Sequence, residues 1–326
     1  MPYRYTPEKI FSGKPLLAND TTRFTADIPM DKKGWFALLL EISLGLVVGT
    51  GTGAKSEGEL LITKNITFST DIDKDSHNAP GRALWNYANF AKGVAPSKDA
   101  IAASDGTYKI VTPLLFQDPL AKVPHLSILD TRRYETVELA IQLGGLSDLL
   151  TSVGTAALTP TVTLSALKTN DVLPAKFRGP RFYPYFKAFP AVNHTDLQMK
   201  LPRIADLRVR RLMYELCTSA SAGVPFSGTP NDVGITNLNI DKGDGYEFKG
   251  MTRSQLAGDN KEFYKIRPTG CYMVDFMPEG TANEPIITHP DILSKFELNW
   301  DTDTGTATTV NMLVDGVRQL KPVKAR

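Results

Sequence analysis

The chain has 326 residues, of which 42% are hydrophobic and 22% charged, so it can bury the cores of one large β domain or of two ordinary domains. Its 37 basic and 35 acidic residues leave a formal charge of +2, which argues against a surface built to grip nucleic acid, and we expect no sequence-specific nucleic-acid binding. Met1–Lys9 lacks the apolar stretch of a secretory signal. The apolar run Phe36–Val48 is too short for a bilayer-spanning helix, so we expect folding in a cytoplasm.

Segments that alternate between apolar and polar residues predict strands of sheets with one buried face. They are Thr22–Ile28, Val137–Leu143, Thr161–Leu167, Phe296–Trp300 and Val310–Val314. Turn clusters lie between them, and the totals of 25 Gly and 22 Pro fit a fold of many short strands. Only two short helices are predicted, at Ser147–Ser152 and Thr252–Tyr264. Strands and helices do not alternate, which argues against a parallel nucleotide-binding sheet.

A weak internal repeat relates the two halves of the chain. Ile28–Pro29 and Leu201–Pro202 close similar strands, and Val137–Leu143 has a counterpart in Phe296–Trp300. The two offsets are 173 residues (201 − 28) and 159 residues (298 − 139), and surface loops absorb the difference of 14 residues at little cost. We therefore predict two similar all-β units with a boundary in Thr169–Pro190, whose Phe and Tyr residues would anchor one unit to the other.

The glycine-rich segment Gly49–Ser56, GTGTGAKS, approaches the pattern of a phosphate-binding P-loop. Ala54 replaces the glycine whose permissive backbone the loop needs. The following Glu59–Phe68 reads as a strand, whereas a P-loop opens a helix that helps to hold the anion. The sequence therefore favours an exposed turn between strands over a nucleotide site.

An acidic segment approaches the pattern of a calcium-binding EF-hand loop. Asp71, Asp73 and Asp75 match its first three positions, but Ser76 and Arg82 stand where the loop needs glycine and glutamate. A solvated acidic loop is favoured, and a loosely bound surface Ca²⁺ stays open.

Other residues with metal or redox chemistry are scattered. Asp301–Gly305 is a shorter acidic segment that predicts a hairpin turn. Cys217 and Cys271 lie in apolar strands and predict buried thiols, although a single disulfide stays open. No two histidines have a metal-ligand spacing; they are His77, His125, His194 and His289. We assign no catalytic, cofactor-binding or metal-binding residue, and no cofactor.

The basic stretch Arg203–Arg211 predicts a strand from which Arg208 and Arg210 project on one face. A solvated face with local ion pairs is the favoured interpretation. Contacts with acidic residues of a neighbouring subunit, with lipid headgroups or with nucleic acid stay open.

Several segments together resemble a known family. Tyr272–Gly280, Ile292–Trp300 and Thr308–Asp315 resemble the closing strands of the coat protein of corticovirus-type marine phages, and Pro124–Arg133 is similar to a loop that precedes a strand in that group. The small lipid-containing phage of Flavobacterium is a second relative of this kind. The chain thus resembles the double jelly-roll major capsid proteins of membrane-containing icosahedral bacteriophages. The loops at 49–58 and 71–81 depart from the family pattern.

The resemblance implies an all-β fold: two tandem eight-stranded antiparallel jelly-roll barrels with a few short helices, in residues 1–178 and 179–326. It also implies a homotrimer that forms a pseudo-hexagonal capsomer of an icosahedral shell. The implied partners are neighbouring capsomers, a vertex protein and the lipids of an internal membrane, with Met1–Lys14 and Lys321–Arg326 as candidate contacts beneath the shell. The protein would be made in the host cytoplasm and reside in the virion.

Two other functions stay open from the sequence. Jelly rolls also occur in proteins that bind or cleave carbohydrate, for which Asp275 and Glu279 are the candidate carboxylates, although Asp275 lies within a strand. An NTPase would rest on Gly49–Ser56 alone.

Overall fold

The computed structural model describes residues 5–319 with the exception of 20, 73, 75, 119–127, 171–176, 190–192, 206, 219–227, 233, 244–246, 265–266, 277–285 and 304–307. The chain divides into two units. The first comprises Met1–Pro119 and Val123–Phe182, and the second comprises Leu120–Lys122 and Tyr183–Arg326. Strands hold 54% of the residues and helices 14%, which confirms the predicted all-β class.

Eight strands of the first unit form two four-stranded antiparallel sheets. The elements are β1 Thr6–Pro15, β2 Arg23–Asp27, β3 Gly34–Val47, β4 Thr52–Ala54, α1 Gly58–Leu61, β5 Thr63–Thr70, β6 His77–Ala79, α2 Gly81–Lys92, β7 Gly106–Leu115, β8 Leu129–Asp130, β9 Val137–Leu143, α3 Leu146–Leu149, β10 Leu150–Ser152 and β11 Ala157–Thr169. One sheet has the strand order β1-β11-β3-β7 and the other β2-β9-β5-β6. Along β3, Leu38, Leu40 and Ile42 are fully buried, whereas Glu41 between them is only half-buried, as the alternating pattern requires.

The second unit has the same plan. Its elements are β12 Phe177–Phe189, β13 His194–Lys200, β14 Leu207–Thr218, β15 Thr229–Pro230, β16 Gly234–Asp241, β17 Glu247–Thr252, α4 Arg253–Phe263, β18 Cys271–Asp275, β19 Ile286–Ile287, β20 Glu297–Asp303 and β21 Thr308–Gln319. The main sheet orders are β12-β21-β14-β18 and β13-β20-β16-β17. Strand β12 begins in the first unit, and nothing is described of its side chains.

The two units repeat one topology strand by strand. Strands β9 and β20 hold the same position in their sheets, as do β3 and β14, and β11 and β21. Helices α2 and α4 also correspond, because each connects the fifth main strand of its unit to the sixth. Two four-stranded sheets in this order form a jelly roll. The weak sequence repeat therefore corresponds to a repeat of the strand order in the structure.

The core of the second unit is rich in aromatic side chains. Trp300 is fully buried, and its ring meets that of Tyr214 edge-on at a centroid distance of 4.8 Å. Tyr214 in turn stacks on Tyr272 at 5.1 Å. Such pairs add to the free energy gained by burying the rings themselves.

Helix α2 corrects the sequence prediction, which contained no helix in this region. Every residue of α2 except Lys92 is buried. Its apolar residues Leu84, Tyr87, Ala88 and Ala91 recur at the helical period, so the sequence carried a signal for this helix that the strand-dominated prediction missed. Gly93 ends it in a left-handed conformation at φ +62°, with its N–H bonded to the carbonyls of Asn89 and Phe90.

Helix α4 agrees with the prediction for Thr252–Tyr264. Thr252 caps it: the threonine hydroxyl accepts the Gln255 N–H, and the Gln255 side chain accepts the Thr252 N–H.

The strand predicted at Glu59–Phe68 is correct only in its second part. Its first residues belong to helix α1, Gly58–Leu61, and strand β5 begins at Thr63. Among the described residues, no helix has the length and apolarity needed to cross a membrane.

Candidate functional site

The glycine-rich segment does not form a phosphate-binding loop. Thr52–Ala54 forms strand β4, which pairs with β10. The backbone N–H of Lys55 donates to the Leu149 carbonyl. Helix α1 has only four residues, and Glu57 precedes it with a carboxylate 3.2 Å from the buried Arg82 guanidinium. The backbone N–H groups that a P-loop would turn towards phosphate are therefore partly used in a small sheet, and a carboxylate stands at the helix start.

The acidic segments are likewise used structurally where they are described. Asp71 accepts the backbone N–H of Glu135, while Asp73 and Asp75 lie outside the described residues. Asp301 lies within β20, which ends at Asp303, so the strand covers the start of the predicted turn, and Thr304 and Gly305 lie outside the described residues. No group of three His, Cys, Asp or Glu side chains suited to a metal ion occurs in the described part of the chain.

The histidines and cysteines form no site together. His125 is not among the described residues. His194 begins β13, and the His289 ring accepts the N–H of Asp291. Cys217 and Cys271 are buried free thiols, as the sequence favoured.

His77 is fully buried beside aromatic rings. Its Nε2 lies 3.3 Å from the Leu115 carbonyl oxygen, and its ring meets those of Phe68 and Phe116 edge-on. Loss of hydration lowers the pKa of His77 to about 4, against a smaller upward effect of the Leu115 carbonyl. The imidazole is therefore neutral at physiological pH and packs as part of the core.

This burial predicts an acid-sensitive first unit. Between pH 6.5 and 4 the unfolded chain binds a proton at His77 and the folded chain does not, so stability rises with pH across this window and is lost as pH falls. The loss below pH 4 amounts to about 3 kcal/mol. Amide hydrogen exchange in β5 and β6 measured from pH 7 to 4, corrected for intrinsic rates, checks this. A His77→Leu variant should lose this part of the pH dependence; an unchanged slope would contradict the assignment.

Arginines of β14 correct a second prediction. Arg210, which was predicted to lie with Arg208 on a solvated face, is buried, and so is Arg211. The register of β14 against β21 shifts between Val209 and Arg211, which is a β-bulge that a period-two pattern does not anticipate. Arg208 alone stays partly exposed.

Together these arginines form a buried arginine–aspartate cluster, which we define as Arg210, Arg211, Tyr264, Asp275 and Asp315. The Arg210 guanidinium donates to Asp315 at 2.6 Å, and Arg211 donates to Asp275 at 2.9 Å and to Asp315 at 3.4 Å. The Tyr264 hydroxyl donates to Asp275 at 2.5 Å. Asp315 was not singled out from the sequence, where it is one acidic residue in an alternating strand.

The cluster includes Asp275, one of the two carboxylates that the sequence offered for carbohydrate cleavage. Asp275 is held by a guanidinium and a hydroxyl within the second unit, and Glu279 lies outside the described residues. The arrangement ties β14, β18 and β21 together and offers no free carboxylate at Asp275 for acid–base chemistry.

Comparison with known proteins identifies the architecture. No protein-family model and no curated protein sequence matches the chain. Several solved structures, by contrast, match it along nearly its whole length. The major capsid protein P2 of bacteriophage PM2 has a TM-score of 0.65 at 12% identity, with 98% of this chain and 99% of that chain covered. A chain from the atomic structure of Sulfolobus turreted icosahedral virus has a TM-score of 0.68 at 12% identity, covering 97% and 91%.

A third similar structure is the PBCV-1 virus capsid, with a TM-score of 0.63 at 12% identity and coverage of 97% of this chain and 95% of that one. These proteins are double jelly-roll major capsid proteins. The alignments span nearly the whole of each chain and agree with the repeated strand order. The resemblance read from the sequence is thus confirmed for the fold: this chain is a double jelly-roll protein with the architecture of viral major capsid proteins.

Proposed function

We propose that the protein is a viral major capsid protein, a structural subunit and not an enzyme. The observation that carries the proposal is the near-complete, two-way coverage of double jelly-roll capsid proteins. Two units of one topology in a single chain, with barrels in residues 1–178 and 179–326, suit this role. A trimer of such chains presents six similar sides, so one gene product can tile hexagonal positions.

The finer expectations follow from the same role. The trimers would form pseudo-hexagonal capsomers that contact one another and a vertex protein in an icosahedral shell around an internal membrane. The protein would be made in the host cytoplasm and become part of the virion. The basic segment Lys321–Arg326 and the segment Met1–Lys14 are the candidates for contact with anionic lipid.

The oligomeric state tests this proposal directly. Size-exclusion chromatography with light scattering on the purified full chain should give three times the mass of the monomer, and negative-stain micrographs should show particles with a hexagonal outline. A monomer under native conditions, at any concentration up to that of the micrographs, would overturn the capsid assignment.

Carbohydrate cleavage is the alternative that the sequence left open. Its candidate acid Asp275 is engaged by Arg211 and Tyr264, which disfavours a role in proton transfer. A hydrolase screen on glycan substrates should therefore give no turnover.

A further inference from the structure

A polar groove lies on the face of the β13-β20-β16-β17 sheet that is turned away from the core of the second unit. Along β20, Leu298 and Trp300 are fully buried, and the residues that alternate with them, Asn299 and Asp301, line cavities on the opposite face. Two such cavities, of about 410 and 430 Å³, share Asp301. Each volume falls in the range of small-molecule sites, roughly 300–1,000 Å³.

Three irregularities of the sheet meet at this groove. The pairing of β13 with β20 shifts register between His194 and Leu197, and the pairing of β16 with β20 shifts between Ile235 and Asn237. The pairing of β16 with β17 shifts next to Leu238. Bulges of this kind bend strands and redirect side chains, and they are enriched beside functional sites. These three register shifts lie beside the residues that line the groove.

Asp301 organises the centre of the groove. One carboxylate oxygen accepts the backbone N–H of Asp196 at 3.0 Å, and the other accepts the side-chain amide of Asn237 at 2.8 Å. Asp196 is held at φ +57°, a left-handed conformation that few residues other than glycine adopt. The carboxylate therefore fixes both a strained turn of backbone and a neighbouring carboxamide.

The lining chemistry favours a neutral ligand with many hydroxyl groups. The polar side chains of the two cavities are Asn193, His194, Thr195, Asp196, Thr236, Asn237, Asn239, Thr252, Gln255, Asn299, Asp301 and Thr302. No lysine or arginine lines either cavity among the described residues, so an anionic ligand would meet carboxylates without a countercharge. Carboxamides both donate and accept hydrogen bonds, as sugar hydroxyls do.

Two carboxamides of the groove have unused bonding capacity. The Oδ1 atoms of Asn239 and Asn299 are shielded from solvent and have no hydrogen-bond partner among the described residues. In the corresponding sheet of the first unit, a carboxamide oxygen has a partner within the protein, because the Asn65 side chain donates to Asn78 Oδ1 at 2.9 Å. An unmet buried acceptor costs free energy that a hydroxyl donor, after a small rotation of the carboxamide, would recover.

We propose that this groove binds neutral carbohydrate, with sugar hydroxyls bonded to the carboxamides of Asn237, Asn239 and Asn299 around the Asp301 carboxylate. The site lies within the second unit, on one sheet and the start of α4, and the proposal does not rest on the capsid role. Because no Phe, Tyr or Trp side chain lines the cavities within the described residues, we expect affinity to come mainly from hydrogen bonds and to fall in the millimolar range of weak complexes.

Saturation-transfer NMR on the purified full chain, in its native oligomeric state and with EDTA present, tests the site. The probes are glucose, galactose, mannose, N-acetylglucosamine and disaccharides of these sugars. At least one should give saturation transfer and a saturable titration. Asn239→Ala and Asn299→Ala should each weaken that binding about tenfold, because each removes a carboxamide whose Oδ1 would accept a sugar hydroxyl.

Glu138→Ala is the matched control, because β9 holds in the first unit the place that β20 holds in the second and Glu138 is exposed. It should leave sugar binding unchanged. Binding of no probe would overturn the proposal. So would sugar binding that both alanine variants retain. A Ca²⁺ titration in a second sample without EDTA would also overturn the proposal if Ca²⁺ bound and no sugar did, because these oxygen atoms would then belong to a cation site.

Discussion

Replacing Arg211 with alanine is expected to destabilise the second unit by about 3–5 kcal/mol. Arg211 is fully buried, and its guanidinium lies 2.9 Å from Asp275 and 3.4 Å from Asp315. Without it, Asp275 and the fully buried Asp315 lose a common countercharge and stay in a medium that hydrates them poorly. Amide hydrogen exchange in β14, β18 and β21 measures the free energy of opening where the loss should appear.

Lys33→Ala supplies the comparison, because Lys33 pairs with Glu8 at 3.3 Å on the surface. Exposed pairs are screened by water, so this variant should show a much smaller change. If both variants lose the same stability, or if Arg211→Ala is neutral, the cluster does not hold its strands together in the way its geometry indicates.

Trp300→Ala should cost a similar amount, about 3–5 kcal/mol, for a different reason. The side chain is fully buried in the second core and meets the ring of Tyr214. Its removal loses apolar burial and leaves a cavity that rigid sheets fill poorly. Hydrogen exchange of β16 and β20 should accelerate accordingly, and the groove on the far side of β20 should lose sugar binding as the strand loosens.

Ile292→Ala is the control for Trp300→Ala. Ile292 is also apolar and belongs to the same unit, but 67% of its side chain is exposed. Its truncation removes little buried surface and should leave exchange rates nearly unchanged. An equal effect of the two substitutions would mean that burial in the core is not what makes Trp300 important.

Periodicity predicted the strands well because each jelly-roll sheet has one face on a core. Val137–Leu143 coincides with β9, and Val310–Val314 lies within β21. Helix α4 was predicted because its capping residues Thr252 and Gln255 are local signals. Helix α2 was missed although Leu84, Ala88 and Ala91 follow the helical period, because its first residue follows Pro80 without a side-chain cap that would mark the start of a helix.

The sites depended on tertiary structure to a greater degree. The sequence predicted a solvated face formed by Arg208 and Arg210, but β14 has a bulge, and Arg210 is buried beside Asp315 of β21. The groove joins Asp196, Asn239 and Asp301 from three strands, and each of these residues alone is an ordinary polar residue of a strand or turn. No residue spacing in the sequence predicts that the members of either group lie close together.

The sequence by itself determined that this protein is built of sheets, that it repeats one unit and that its apparent phosphate and calcium motifs lack required residues. Those properties depend on side chains near one another in the chain, through the two-residue period of a strand and the geometry of single loops. Only the tertiary structure decided the strand order, the buried arginine–aspartate cluster and the polar groove. Each of these depends on register between strands far apart in sequence, and one bulge is enough to move a side chain from water into the core.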